Sequence, residues 1–150
     1  MTHPAKSAID AFLAKYAAAW AANDAAALKR FWDASRDPLY LAEEIDETLA
    51  DWPAVEAYWA MNEGQHADVA LTFSGAVIRD LDEGLVIAAY QMNWRIAFTQ
   101  KPAMAGDNRI AAVLRNTDDG WRFTAWIEAP LAAITYVRKL YEARACKAPT

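Results

Sequence analysis

The stretch NRIAAVLRNTDDGWRFTAWIEA, Asn108 to Ala129, decides how the second half of the chain folds. Two runs rich in β-branched and aromatic residues flank Asp118-Asp119-Gly120, whose short polar side chains and glycine suit a tight reversal. The pattern predicts two antiparallel strands. Period-two alternation then assigns faces. On the second strand Trp121, Phe123, Ala125 and Ile127 share one face, and Thr124, Trp126 and Glu128 the other. On the first, Ala111, Val113 and Arg115 are expected to look inward. Upstream, HADVALTFSGAVIRD and GLVIAAYQMNWRIAF repeat the strand signal around Asp82-Glu83-Gly84. Val86, Ala88, Tyr90, Met92, Trp94, Ile96 and Phe98 should meet the rest of the protein. Leu85, Ile87, Ala89, Gln91, Asn93 and Arg95 form a mixed outer face. An outward Trp126 near Ile87 and Leu114 would make an apolar patch of the kind that marks a subunit interface.

The first half reads as helical. Ser7 with Asp10 resembles a capping box, and Ile9, Phe12, Leu13, Tyr16 and Trp20 recur at helical spacing, which predicts a helix over about 7–22. Asn23 suits its end and Asp24 the cap of a second helix bearing Leu28, Phe31 and Trp32. Asp37-Pro38 ends the helical pattern, and PLYLAEE reads as a short strand. Asp51 caps a third helix, with Pro53 in its first turn and Val55, Tyr58 and Trp59 buried. Pro130 stops the last strand. A C-terminal helix over about 131–144 carries the stripe Leu131, Ile134, Val137 and Tyr141. Helices first and strands after give an α+β class, with helices laid on one face of a mostly antiparallel sheet.

Composition sets the limits. The 150 residues fit one domain, and 55% hydrophobic content with 23% charged residues supports a real core. A net charge of -5 and a pI near 5.0 oppose a nucleic-acid role, which needs a basic patch. Arg138, Lys139, Arg144 and Lys147 are mixed with Glu142 and read as a solvated helix face. The single cysteine, Cys146, precludes an intrachain disulfide. No leader signature opens MTHPAKSAID, and no stretch approaches the roughly 20 apolar residues of a membrane span. The expectation is a cytoplasmic protein with no membrane and no nucleic-acid partner.

Together, YAAAWAANDAAALKRFW, PLYLAEE, WPAVEAYW and RNTDDGWRFTAW, in that order, resemble the nuclear-transport-factor-2-like superfamily, in particular its SnoaL-like domains. The resemblance covers about residues 8–129. It implies a cone: a curved, mostly antiparallel sheet wrapped around the N-terminal helices (a cystatin-like roll), with a pocket at the wide end. It also implies a homodimer through the outer sheet face, with the C-terminal helix as an extension over the pocket mouth or the dimer edge. The superfamily spans isomerases, cyclases, dehydratases and binding modules, so fold alone does not assign function. Its ketosteroid isomerases place an oxyanion-donating tyrosine where Tyr16 falls. Their supporting tyrosines fall on Trp32 and Trp59. Their basic aspartate falls on Tyr40, with Asp37 reachable through a gap, and their second carboxyl donor on Ala111. Base and second donor are therefore missing at the matching places.

The residues expected to line the pocket are Tyr16, Trp20, Tyr40, Tyr58, Trp59, Tyr90, Met92, Trp94 and Arg115. They suit a small, largely apolar or aromatic ligand, with Arg115 as an anchor for an anionic group or a strand-end cation reaching solvent. No catalytic residue, metal set or cofactor motif is assigned: histidines and cysteines are too few, and no glycine-rich phosphate loop exists. His66 is expected at the surface or in a capping role, and Asp37, Glu43 and Glu44 in solvent. Two other readings stand beside ligand binding. One is a lyase, cyclase or isomerase using Tyr16 with Asp37 or Tyr40; the other is a non-catalytic dimeric interaction module.

Overall fold

In a computed structural model, which describes residues 2–145, three N-terminal helical segments precede a five-stranded sheet. Helix α1 spans Lys6–Ala21, α2 Ala25–Leu28, and a 3-10 turn Lys29–Phe31 follows; α3 spans Trp52–Gln65. The strands are β1 (Leu39–Leu41), β2 (His66–Asp82), β3 (Leu85–Phe98), β4 (Met104–Thr117) and β5 (Gly120–Pro130), followed by α4 (Ala133–Ala145). Sheet order is β1-β5-β4-β3-β2, antiparallel except for β1 beside β5. The α+β class and the mostly antiparallel sheet agree with the sequence. Cys146 lies outside the described residues.

Local chemistry explains most boundaries. Asp24 and Asp51 cap α2 and α3 by accepting from the amides of Ala27 and Ala54, at 3.2 and 2.8 Å. Asn23 takes the left-handed conformation (φ 52°) that ends α1 and donates to the carbonyl of His66. The capping box at Ser7 does not form. Helix α1 begins one residue earlier, without a side-chain cap, and Asp10 pairs with Lys6 at 2.6 Å. On β2 the register shifts between Ser74 and Val77, where Gly75 has φ 68°, and this bulge bends the long strand.

A second bulge corrects the sequence reading of the last hairpin. Val113 pairs with Ala125 and Leu114 with Phe123, so Thr124 is an extra residue in β5. Its hydroxyl bonds back to the Val113 carbonyl at 3.3 Å. Beyond it the alternation is offset by one. Trp126 faces Ala112 and Glu128 faces Ile110 across the ladder, and Ala112 and Ile110 are on the buried face. Trp126 is therefore 1% exposed and Leu114 fully buried, not part of an outer patch. The inner residues of β4 are Ile110, Ala112 and Leu114, while Ala111 and Val113 are half-buried on the other side. The faces of β3 are as the alternation predicts: Val86, Ala88, Tyr90 and Met92 are buried.

The core is an aromatic cluster. The Trp126 ring lies 5.4 Å from Tyr16, 5.3 Å from Phe123 and 6.1 Å from both Phe73 and Tyr90, and it stacks on Tyr40 at 6.2 Å. Such pairs add about 0.5–1.5 kcal/mol each beyond area burial. Helix α4 bears its apolar stripe on the surface of the single chain. Ile134, Val137, Leu140 and Tyr141 are all exposed. Replacing Trp126 by Ala should cost about 3–5 kcal/mol in a denaturant titration, the loss typical of a buried ring. A surface tryptophan would cost roughly 0.5 kcal/mol or less.

Candidate functional site

A cavity of about 360 Å³ opens between α3, the loop after β1 and the inner face of the sheet. Its wall is mostly apolar: Val69, Leu71, Met92, Ile96 and Met104 from the sheet side, Met61 from α3, and the rings of Trp20, Tyr40, Tyr58, Trp94, Phe98 and Trp126. Five of the nine residues expected to line a pocket do so: Trp20, Tyr40, Tyr58, Met92 and Trp94. Tyr16, Trp59 and Tyr90 stand behind that wall in the core, each at most 4% exposed. Arg115 lies away from the cavity and pairs with buried Asp33 at 3.5 Å, so its role is structural charge pairing rather than ligand anchoring.

The resemblance implies an oxyanion donor at Tyr16. Its side chain is fully buried, and its hydroxyl closes no hydrogen bond. Desolvation drives its pKa upward, with Trp20, Trp32 and Tyr40 nearby offsetting part of the rise. It is a packing residue with a trapped hydroxyl. Asp37 is exposed and is not on the cavity wall, which removes it as a base for chemistry there.

The polar groups of the site were mostly missed. Glu128 enters the cavity because the Thr124 bulge turns it inward. Its Oε1 accepts from Trp126 Nε1 at 2.9 Å. Its Oε2 accepts from the Glu43 amide at 3.1 Å and from Asn108 Nδ2 at 3.2 Å. Desolvation pushes the Glu128 pKa up to about 7, against the indole and amide donors, and the nearby charges of Glu44 and Glu43 add to the rise. Glu43, itself on the wall, is raised by desolvation and then by Glu44. Glu44 accepts from the Tyr58 hydroxyl. His66 is 8% exposed rather than at the surface. It ends α3 through a backbone bond to Asn62 and lines the cavity, and burial lowers its pKa. One signal for the inward Glu128 was legible: Phe123 and Trp126, two large rings three apart on one strand, cannot both face the core without an extra residue between them.

Gly106 sets the position of the Trp94 ring. A Cβ there would lie 2.7 Å from Cζ2 and 2.9 Å from Cε2 of Trp94, so only glycine allows the indole to lie against β4. Among the described residues no group of histidine, cysteine, aspartate and glutamate could hold a metal ion. No helix among them is long and apolar enough to cross a membrane.

Residues 9–129 match the family model described as SnoaL-like domain. No curated protein matches the chain. Among solved structures, a nuclear transport factor 2-like superfamily protein from Salmonella enterica has a TM-score of 0.73 at 13% identity, covering 85% of this chain and 92% of that one. A candidate scytalone dehydratase from Novosphingobium aromaticivorans gives 0.73 at 12%, covering 85% and 84%. A candidate dehydratase of the NTF2-like family from Streptomyces avermitilis gives 0.70 at 14%, covering 87% and 100%. At such identities these likenesses show the shared fold.

Glu128 makes stability depend on pH. The folded protein holds its proton up to about pH 7, whereas the unfolded chain releases it near 4.5. Between those values the folded state binds more protons, so stability falls as pH rises, by on the order of 1–3 kcal/mol. His66, with its lowered pKa, acts in the opposite sense below its ordinary value. The comparison of wild type with Glu128→Gln isolates the carboxyl. From about pH 5 to about pH 8 the wild type should lose more stability than the variant, as read by urea midpoints. Parallel curves would contradict the raised pKa.

Proposed function

The chain belongs to the SnoaL-like domain family, and we propose that its cavity binds a small, flat, largely apolar or aromatic molecule. The observation that carries this reading is the wall itself: six aromatic rings and an apolar sheet face converge on a few polar groups at one end, Glu128, Glu43, Tyr58 and His66. Ligand sites are commonly built in this way, with apolar area for affinity and sparse polar groups for orientation. A neutral probe, 2-naphthylmethanol, should raise the melting temperature in a concentration-dependent way, because a ligand of the native state stabilises it by mass action. Gly106→Ala, which forces the Trp94 ring to move, should weaken that binding by roughly threefold or more. No shift with this probe or with other neutral polycyclic alcohols and ketones would overturn the reading.

A second reading is favoured by one feature, the buried Glu128 carboxyl. A group that titrates near neutrality inside an apolar cavity can accept a proton from a bound substrate and return it elsewhere. Tyr40 and Tyr58 stay protonated, their pKa values raised first by burial, and serve as donors rather than bases. In this version the lyase, cyclase or isomerase chemistry uses Glu128 in place of Asp37 or Tyr40. The rate would rise through about pH 7 as Glu128 ionises.

The outer sheet face is the surface we assign to a homodimer. Without Trp126 and Leu114 it consists of Ile87, Ala111, Val113 and Ile127, all half-buried in the single chain. Val113→Asp should convert a dimeric elution volume to a monomeric one in gel filtration. A monomeric wild type would remove this assignment.

A further inference from the structure

The charges around the cavity are unbalanced. Glu43, Glu44 and Glu128 line it, and among the described residues the one lysine or arginine on the wall is Lys101, an exposed residue whose Nζ lies 5.9 Å from the centre of the Phe98 ring. Among the described residues none of the three carboxylates has a basic group within 4.0 Å, although seven ion pairs form elsewhere. His66 does not supply the missing charge. It is 8% exposed, its Nδ1 has no partner, and desolvation favours its neutral form.

The hydrogen bonds around Glu128 sharpen the imbalance. Three donors point at its two oxygens: the Trp126 indole, the Glu43 amide and the Asn108 amide. Donors aimed at both oxygens favour the ionised carboxyl, whereas an acid form would need an acceptor for its proton. The donors support the ionised carboxyl against its burial, and no basic group among the described residues pairs with it. The rings of Trp20, Tyr40, Tyr58, Trp94, Phe98 and Trp126 form the rest of the wall. Aromatic rings attract a cation through their negative faces, and more strongly where water is excluded.

Resting on the pocket reading above, we propose that the natural ligand is an organic cation: an aromatic or otherwise apolar molecule bearing a protonated amine, whose nitrogen sits among Glu128, Glu43 and Glu44 while its apolar part lies against the rings. The bound ammonium supplies the counter-charge that the protein omits. It is placed beside the His66 ring, which in its neutral form has a lone pair to offer. Lys101, at the exposed rim, can turn away into solvent, as its flexible stem allows.

Three probes with one ring system separate charge from shape: 2-naphthylmethylamine, 2-naphthylmethanol and 2-naphthoate, each titrated calorimetrically at neutral pH. The amine should bind about tenfold or more tightly than the alcohol, and the carboxylate more weakly than either. Amine binding should also release protons, because a neighbouring cation lowers the Glu128 pKa; the observed heat then varies with the buffer's ionisation enthalpy. In Glu128→Gln the preference for amine over alcohol should fall to roughly threefold or less. Glu44→Gln, at an exposed position, gives a second variant in which the same preference shrinks without touching the core. Alcohol binding equal to amine binding overturns the cation assignment and leaves the pocket reading intact. Absence of binding by all three overturns both.

Discussion

Trp126 is held between the helices and the sheet by five neighbouring rings, and its place there depends on the bulge that leaves Thr124 out of the ladder. Were Thr124 paired in regular alternation, with no bulge, Trp126 and Glu128 would turn to the outer face, as the sequence pattern suggests. With it, the indole covers Tyr16, stacks on Tyr40 and donates to Glu128. The bulge thus converts a strand end that would be an outer surface into both the centre of the core and one wall of the cavity. Burial of the indole offsets the local loss of ladder pairing, because a buried aromatic ring contributes several times what one strand hydrogen bond does, about 3–5 against about 1 kcal/mol.

The same constraint produces the chemistry. A glutamate two residues after a buried tryptophan must follow it inward. Once inside, it loses hydration, and burial alone would keep it protonated. The donors from Trp126, Asn108 and Glu43 oppose that tendency, so the group is balanced near neutrality. Neither pure desolvation nor pure hydrogen bonding would give this balance. It is the property that both the proton-transfer reading and the cation reading draw on.

Much of the architecture was legible in the sequence. Turn chemistry at Asp82-Glu83-Gly84 and Asp118-Asp119-Gly120 marks the two hairpins, Asp24 and Asp51 mark helix starts, and β3 alternates cleanly. The resemblance to SnoaL-like domains rests on segments that all lie within the residues the family model matches. The site was only half legible. Trp20, Tyr40, Tyr58, Met92 and Trp94 were found because large rings and a thioether on inward faces are simple to place. Arg115 and Glu128 were misplaced for one reason: period-two counting has no way to register a strand with an extra residue, and β4 was assigned the wrong face with it. Glu43 and Glu44 were read as solvated because charged residues after a short strand usually are; Glu44 is indeed exposed while it borders the cavity, and Glu43 is half-buried. What draws them to the cavity is the long-range pairing of β1 with β5, a contact between residues more than 80 apart in sequence.

The Thr124 bulge places the Glu128 carboxyl inside the aromatic cavity, and the titration of that carboxyl reads its placement. The most direct measurement is a carbon-detected NMR titration of the glutamate side-chain carboxyls, with Glu128 assigned by its loss in Glu128→Gln. The expected Glu128 midpoint is near 7, well separated from the bulk of the glutamates. A Glu128 midpoint at the ordinary value near 4.5 would mean that the side chain is solvated, and would contradict the inward placement on which the site rests.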